Sequence, residues 1–183
     1  MYPVVRLAKT VFENRNAPRL PFDGTHVSHH ICWPQDIDIY MEMNNGRILT
    51  LLDLNRTGLS QRTGLLRVLR ANRLGMAMAG SSLRYRKRIK PFVKFRTVGR
   101  LAGWDDKFFY LDQSIWIGET CAMNGLFRSA VTDRNGIVRP GLVFRAMGFE
   151  GERPALPDWM QNWIDADATR PWPPQGDPNF PQG

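Results

Sequence analysis

The chain has little of several residue types, and each shortage narrows the possible functions. It has two cysteines among 183 residues, and they form no CxxC pair or other metal-binding spacing. No apolar run approaches the roughly 18 residues of a membrane span, and Arg6 and Lys9 interrupt the N-terminal apolar segment. These shortages argue against a disulfide-rich secreted domain and an integral membrane protein. We expect a cytoplasmic protein with no integral membrane segment.

The few cysteines and histidines favour structural roles over metal binding. Cys32 and Cys121 lie in strand-like segments, where a free thiol packs like a small hydrophobe. We expect both to be reduced and buried. The three histidines are His26, His29 and His30. Adjacent residues of a strand point to opposite faces, so His29 and His30 do not converge on one ion. We predict no metal site.

Acidic residues are scarce in the first part of the chain. The formal charge is +8, with +12 in residues 1–149 and −4 in residues 150–183. A basic body of this kind favours an anionic partner: a phosphorylated cofactor, nucleic acid or a membrane surface. Charge alone does not choose among the three.

Hydrophobic periodicity predicts a single α+β domain with appendages. The strand patterns are 26–33, 76–90, 92–104, 107–117 and 121–132, and short turns join the later ones into an antiparallel meander. We place an N-terminal arm at 1–23, the domain at 24–140 and an extension at 141–183. Residues 4–12 can pack as a short helix or an extended arm. In the extension, residues 157–168 predict a short helix that docks on its own subunit or a neighbour, before a Pro-rich tail.

One helix is much more apolar than a surface helix. Between Ile48 and Leu54, apolar side chains cover roughly 220° of the helical wheel, against about 100° for an ordinary amphipathic stripe. Asn44 is a good N-cap for it. The amides of Asn45, Gly46 and Arg47 then form a positive helix end. We expect this helix to be largely enclosed.

The loop before this helix carries spaced polar residues, namely Asp36, Asp38, Glu42, Asn44, Asn45, Gly46 and Arg47, with Asp53 and Arg56 further on. This pattern resembles the Asp-x-Asp-x-x-x-His-x-Asn-Asn signature of the 4-hydroxybenzoyl-CoA thioesterase family, with Glu42 at the position of the histidine. The segment 103–111, GWDDKFFYL, is similar to the thioesterase-superfamily-member branch of that group. The resemblance covers roughly residues 24–138. It implies the hot-dog fold, in which a curved antiparallel sheet wraps a long central helix.

The resemblance also implies an acyl-CoA thioesterase that needs no cofactor beyond the coenzyme A of its substrate. On this view Asp38 is the general base or nucleophile. The helix start at Asn44, Asn45 and Gly46, or a partner-subunit amide near Gly75, polarises the thioester carbonyl. The alternative is that Asp36 and Asp38 only form turns and caps.

Two further carboxylates are secondary candidates. Glu42 either tunes Asp38 as a base or faces solvent. Asp53 is spaced to pair with Arg56 three residues on, and the alternative is a second catalytic carboxylate.

The second notable segment is strongly cationic. If 76–90 is one strand, Arg84, Arg86, Arg88 and Lys90 share a face. Such a row suits the phosphates of coenzyme A. The alternatives are a solvated outer face of the sheet and contacts with nucleic acid or lipid headgroups. No base-reading motif accompanies the row, so we expect no nucleic-acid partner.

The family resemblance implies a homodimer at minimum, with a homotetramer possible, because hot-dog domains pair through their sheets and complete each other's sites. Two functions stay open. The first is acyl-CoA hydrolysis, and the second is a non-catalytic acyl-CoA-binding or scaffold protein.

Overall fold

The computed structural model describes residues 3–172. The remaining residues, 1–2 and 173–183, lie outside the described part, and so does most of the predicted Pro-rich tail. Within residues 3–172 the structure contains the helices α1 (Val4–Arg15), α2 (Asn45–Thr63), α3 (Leu65–Ala71), α4 (Pro140–Ala146) and α5 (Asp158–Ala168). No helix of this part is long and apolar enough to cross a membrane.

The strands form one antiparallel sheet, as the meander pattern predicts. They are β1 (His26–Ile31), β2 (Gly75–Tyr85), β3 (Lys94–Trp104), β4 (Phe109–Ile117), β5 (Thr120–Asp133) and the short β6 (Gly136–Val138). Their order across the sheet is β1-β3-β4-β5-β2, and β6 pairs with β5. β1 and β2 therefore lie at opposite edges. The α+β prediction is confirmed.

Helix α2 begins at the cap that the sequence predicts and continues to Thr63. The Asn44 side chain accepts hydrogen bonds from the amides of Gly46 and Arg47, and Gly64 closes the helix with a left-handed φ of 85°. Leu51, Leu52 and Leu54 are completely buried in the core that α2 shares with the sheet. The expected enclosure of this helix is confirmed.

Helix and sheet approach each other closely because two glycines leave room for polar side chains. A Cβ at Gly58 of α2 would overlap the ring of His26 on β1, and one at Gly99 of β3 would overlap the Asn55 side chain of α2. Asn55 in turn donates to the carbonyls of His26 and Thr97. These contacts fix how α2 crosses the β1–β3 half of the sheet.

The C-terminal helix docks on its own subunit. Met160 of α5 is fully buried with Tyr110 and Leu126, on the sheet face away from the α2 core. The Arg128 guanidinium lies between the rings of Phe108 and Trp163, at 5.0 and 5.2 Å, and forms an ion pair of 2.6 Å with Asp167. The sequence leaves open whether this helix docks on its own subunit or on a neighbouring one. In the structure it docks on its own subunit.

The prediction of one strand over 76–90 is wrong. β2 ends at Tyr85, and the amides of Arg86 and Lys87 both donate to the carbonyl of Ala122. The chain then turns so that Ile89 is buried, at 2% exposure, and accepts a hydrogen bond from the amide of Met43. Burial of Ile89 outweighs continued strand pairing, so Arg84, Arg86, Arg88 and Lys90 do not form a row on one sheet face.

Candidate functional site

The loop between β1 and α2 is a short hairpin. The Asn44 amide donates to the carbonyl of Asp36, and the Asp38 amide donates to that of Glu42, with an isolated bridge between Ile37 and Met43. The connection 39–41 contains Met41 at a φ of 57°, which is typical of a three-residue hairpin turn. The hairpin therefore leads directly into the cap of α2.

The buried carboxylate of Asp36 holds two arginines, and we call this group of ion pairs the clamp. Its carboxylate is 1% exposed and contacts Arg6 Nη2 at 2.6 Å and Arg47 Nε at 3.1 Å. It also accepts from the amide of Trp33. Because these partners enclose both carboxylate oxygens, Asp36 ties α1, the hairpin and α2 together and has no access to a substrate water.

Asp38 and Glu42 share one face of the hairpin, because residues that oppose each other in an antiparallel pair point the same way. The Asp38 carboxylate is partly exposed and accepts from the amide of Tyr40 at 2.8 Å. The Glu42 carboxylate is 25% exposed and forms an ion pair of 3.0 Å with Arg88. The segment after β2 thus contacts the hairpin directly.

The helix-start amides are only partly available. Those of Gly46 and Arg47 donate to Asn44 Oδ1, at 2.9 and 3.3 Å. The amide of Asn45 has no acceptor among residues 3–172. Of the three amides expected at this positive end, the structure therefore leaves Asn45 as the one available donor in the described chain.

A groove of about 280 Å³ lies between the hairpin, α2 and the segment after β2. Its lining residues are Glu42, Met43, Asn45, Ile48, Tyr85, Arg86, Lys87, Arg88 and Ile89. Asp38 does not line it but adjoins it through Glu42, its hairpin neighbour. Asn44 and Gly46 line a separate groove of about 300 Å³ on the other side of the helix start.

Asp53 lies in a different network. Its carboxylate binds Arg56 Nη2 at 3.0 Å, which confirms the predicted structural pair. Arg56 is buried, donates to Gln113 Oε1 at 2.7 Å and lies 4.8 Å over the ring of Phe127. No short-range sequence signal predicts the contact with Gln113, because it joins residues 57 positions apart.

A close histidine–serine contact on β1 is structural. Ser28 Oγ lies 2.9 Å from His26 Nε2, while Arg62 Nη1 lies 3.3 Å from His26 Nδ1. A guanidinium can only donate, so Nδ1 is the acceptor and the ring proton is on Nε2, directed at Ser28. In that tautomer the histidine cannot take the serine proton. The pair is therefore not an activated nucleophile.

Burial suppresses the reactivity of two histidines on β1 and of the cysteine that follows this strand. Burial and the positive charge of Arg62 lower the pKa of His26 to about 4, and burial with nearby cations, Arg6 first, lowers that of His30 to about 4. Burial, with Asp36 adding to it, raises the pKa of the Cys32 thiol to about 11. Cys32 is fully buried and Cys121 partly buried, and both are free thiols as predicted. Within residues 3–172 no group of three or more potential ligands is placed to hold a metal ion.

Comparisons with known proteins fit this architecture. A family model described as the thioesterase-like superfamily matches residues 32–164. The chain belongs to this superfamily. It is 31% identical over 167 residues to Protein THEM6 of Drosophila melanogaster, covering 88% of this chain and 84% of that protein. It is 32% identical over 143 residues to Protein THEM6 of Xenopus laevis, covering 76% and 67%.

Solved thioesterases share the fold of this superfamily member. One is the 1,4-dihydroxy-2-naphthoyl-CoA thioesterase of Synechocystis, with a TM-score of 0.57 at 8% identity, covering 68% of this chain and 95% of that one. Another is the DHNA-CoA thioesterase of Staphylococcus aureus, with a TM-score of 0.58 at 12% identity, covering 79% and 91%. The hot-dog fold predicted from the sequence is confirmed.

Proposed function

We propose that this protein hydrolyses acyl-CoA thioesters at the groove beside the start of α2. The observation that carries the proposal is the pairing of Asp38 with Glu42 on one face of the hairpin, because Glu42 lines a groove whose other walls include Asn45 and a cationic segment. Membership of the thioesterase-like superfamily supports the reaction class. The products are a free carboxylic acid and coenzyme A.

Asp38, beside the groove, and the residues that line the groove each have a role in this proposal. Asp38 acts as general base or nucleophile, since its carboxylate is partly exposed and one oxygen, Oδ2, accepts no hydrogen bond among residues 3–172. The Asn45 amide polarises the thioester oxygen. Arg86, Lys87 and Arg88 bind the phosphates of coenzyme A, with Arg84 and Lys90 adding to the positive field.

In this proposal Glu42 positions the cationic segment after β2 relative to Asp38. Its ion pair with Arg88 holds the cationic segment against the hairpin and sets the charge around Asp38. Because Glu42 lines the groove, we expect it to shape substrate entry as well. Asp36 and Asp53 have no part in the chemistry, since each is committed to arginines.

The test is an acyl-CoA panel with detection of the free thiol. Asp38→Asn and Asp38→Ala should lower kcat by about 10²–10⁴-fold, the usual contribution of a positioned base. Asp106→Asn is the control, since it removes an exposed carboxylate at the β3–β4 turn. Turnover of no thioester, or rates within threefold in both Asp38 variants, would falsify the assignment.

One observation favours the second function, a non-catalytic acyl-CoA-binding protein. The amides of Gly46 and Arg47 are already bonded to Asn44, so of the three helix-start amides only that of Asn45 remains as an oxyanion donor within residues 3–172. This function predicts that calorimetry detects binding of a CoA ester without hydrolysis. Asp38→Asn would then leave the Kd unchanged, whereas Arg88→Gln would raise it.

We further propose that two copies pair through β2. This strand is a sheet edge, and its residues Met76, Met78 and Tyr85 are exposed by 40% or more. Exposed apolar edges are templates for pairing with another strand. Pairing there brings Gly75 and the cations after β2 of one copy toward the other, and a tetramer would need a second contact surface.

A further inference from the structure

An exposed apolar surface lies where β1 ends and β3 begins. Pairing continues past both strands, since the Cys32 amide donates to the Val93 carbonyl and the Phe92 amide donates to the Cys32 carbonyl. This pairing brings Trp33 and Phe92 to neighbouring positions, where they are 42% and 63% exposed. We call these two residues the apolar corner. Adjacent exposed apolar residues beside polar ones mark an interaction site more often than single ones do.

The apolar corner continues onto the sheet face away from α2. Phe95 is buried in the core that α2 shares with the sheet, so Lys94 before it points to the other face. Ile31 opposes Lys94 in the register of β1 and β3 and points the same way. Cys32 is also buried in the core, and the extended backbone of Trp33 returns the chain to the face of Ile31. Trp33, Ile31 and Lys94 therefore share one surface.

The segment that carries Phe92 is strongly basic. Residues 86–96 contain six cations and no carboxylate. Lys90 and Lys94 stand two positions before and after Phe92. Both lysines are exposed, and neither forms an ion pair within residues 3–172. Positive charge without a counter-charge therefore borders the apolar corner.

The tip of the hairpin adds apolar surface at the same end of the sheet. Residues 39–41, which are isoleucine, tyrosine and methionine, are each at least 62% exposed. The hydrogen bond from the Met43 amide to the Ile89 carbonyl holds the hairpin beside the segment that leads to Phe92. Exposed aromatic and aliphatic side chains with lysines beside them are typical of proteins that lie on a membrane interface.

We infer that this end of the sheet docks on the surface of an anionic phospholipid bilayer. Trp33 and Phe92 enter the headgroup region. Lys90 and Lys94 contact lipid phosphates. A second copy of the chain fits this basic surface less well, because the chain itself carries a formal charge of +8. Lipid binding of this kind does not involve Asp38, so it does not depend on the proposed hydrolysis.

The experiment is flotation of the full chain with vesicles of phosphatidylcholine, with and without phosphatidylglycerol, at equal lipid concentration. The Kd should be at least about tenfold lower for the anionic vesicles, since each lysine near a charged surface contributes about fivefold. Raising the salt concentration should weaken this binding, because it screens the lysines from the lipid phosphates.

A matched pair of variants tests the apolar corner. Phe92→Asn should raise the Kd for anionic vesicles about tenfold, because it removes a ring from the headgroup region. Asparagine tolerates the left-handed φ of 63° at this position, so the turn is retained. Phe12→Asn is the control and should bind as the wild type does, since Phe12 is 79% exposed on α1, which contacts α2 through Val11 and Gln61.

A second matched pair tests the charge. Lys94→Gln should raise the Kd about fivefold, whereas Lys107→Gln, exposed on the turn at the far end of β3, should not change it. Asp38→Asn should also bind vesicles as the wild type does, which separates docking from the proposed hydrolysis.

Equal binding to neutral and anionic vesicles, or an unchanged Kd in Phe92→Asn, would overturn the inference. Light-scattering chromatography tests the alternative occupant, a second copy of the chain. A smaller mass for Phe92→Asn than for the wild type would show that the apolar corner is an interface between copies, and it would equally overturn membrane docking.

Discussion

Asp36, Asp38 and Glu42 stand within seven residues, and the protein gives each carboxylate a different environment. The first is enclosed by Arg6 and Arg47, the second lies partly exposed on the hairpin, and the third lines a groove against Arg88. Sequence spacing predicts their proximity but not these partners, since Arg6 and Asp36 are 30 positions apart. The resemblance to a thioesterase signature singles out Asp38, and its catalytic role stays a prediction.

Asp36→Asn should destabilise the protein far more than Asp38→Asn. The substitution removes the buried carboxylate charge that pairs with the Arg6 and Arg47 guanidinium groups, and breaking a buried pair typically costs about 3–5 kcal/mol. Chemical denaturation of both variants measures the free energy of unfolding. A loss below about 1 kcal/mol in Asp36→Asn would show that the clamp behaves like an exposed surface pair.

The buried histidines make stability depend on pH. In the folded chain the pKa of both His26 and His30 is about 4, below the ordinary value of 6.5. Between pH 6.5 and pH 4 the unfolded chain therefore binds more protons than the folded chain. The contribution of the two histidines to stability is fully present above pH 6.5 and is lost as the pH falls toward 4. Urea midpoints measured from pH 7 to 4 should show this fall, and His30→Gln should flatten it. Equal slopes for the variant and the wild type would contradict the assignment.

At the scale of elements, local sequence signals predict the helices and strands well. Features that depend on long-range packing cannot be predicted from neighbouring residues. The cap at Asn44, the apolar face of α2 and the short helix near 157–168 follow from neighbouring residues, and the structure confirms them. The strand prediction over 76–90 failed because burial of Ile89 depends on Met43 and Cys32, far away in sequence. Helix α4 was missed although Pro140 at its first position is a recognisable start signal.

Two helical glycines should respond in opposite directions to the same substitution. Gly58→Ala places a methyl group against His26 and should destabilise the fold by about 1–3 kcal/mol through overpacking. Gly141→Ala, in α4, meets no atom nearer than 4.0 Å and should stabilise by up to about 1 kcal/mol through helix propensity. Thermal unfolding of the two variants provides the comparison. If Gly58→Ala were stabilising, the close contact of α2 with β1 would be disproved.

At the scale of the whole molecule, the proposed dimer depends on one edge of the sheet. A Met76→Lys and Met78→Lys double variant should be monomeric, because two charges would be buried in the pairing surface. The wild type should elute at twice the chain mass of 21.0 kDa in light-scattering chromatography. Val27→Lys, at the opposite edge, is the control and should remain dimeric. A monomeric wild type would contradict the proposal.

The N-terminal helix contributes a residue that the superfamily match does not include. Arg6 precedes the matched residues 32–164, yet its guanidinium neutralises Asp36 beneath the hairpin. Loss or exchange of the first turn of α1 would thus remove an ion-pair partner of the acidic loop some thirty positions downstream. A fragment restricted to the residues of the superfamily match would lack this contact.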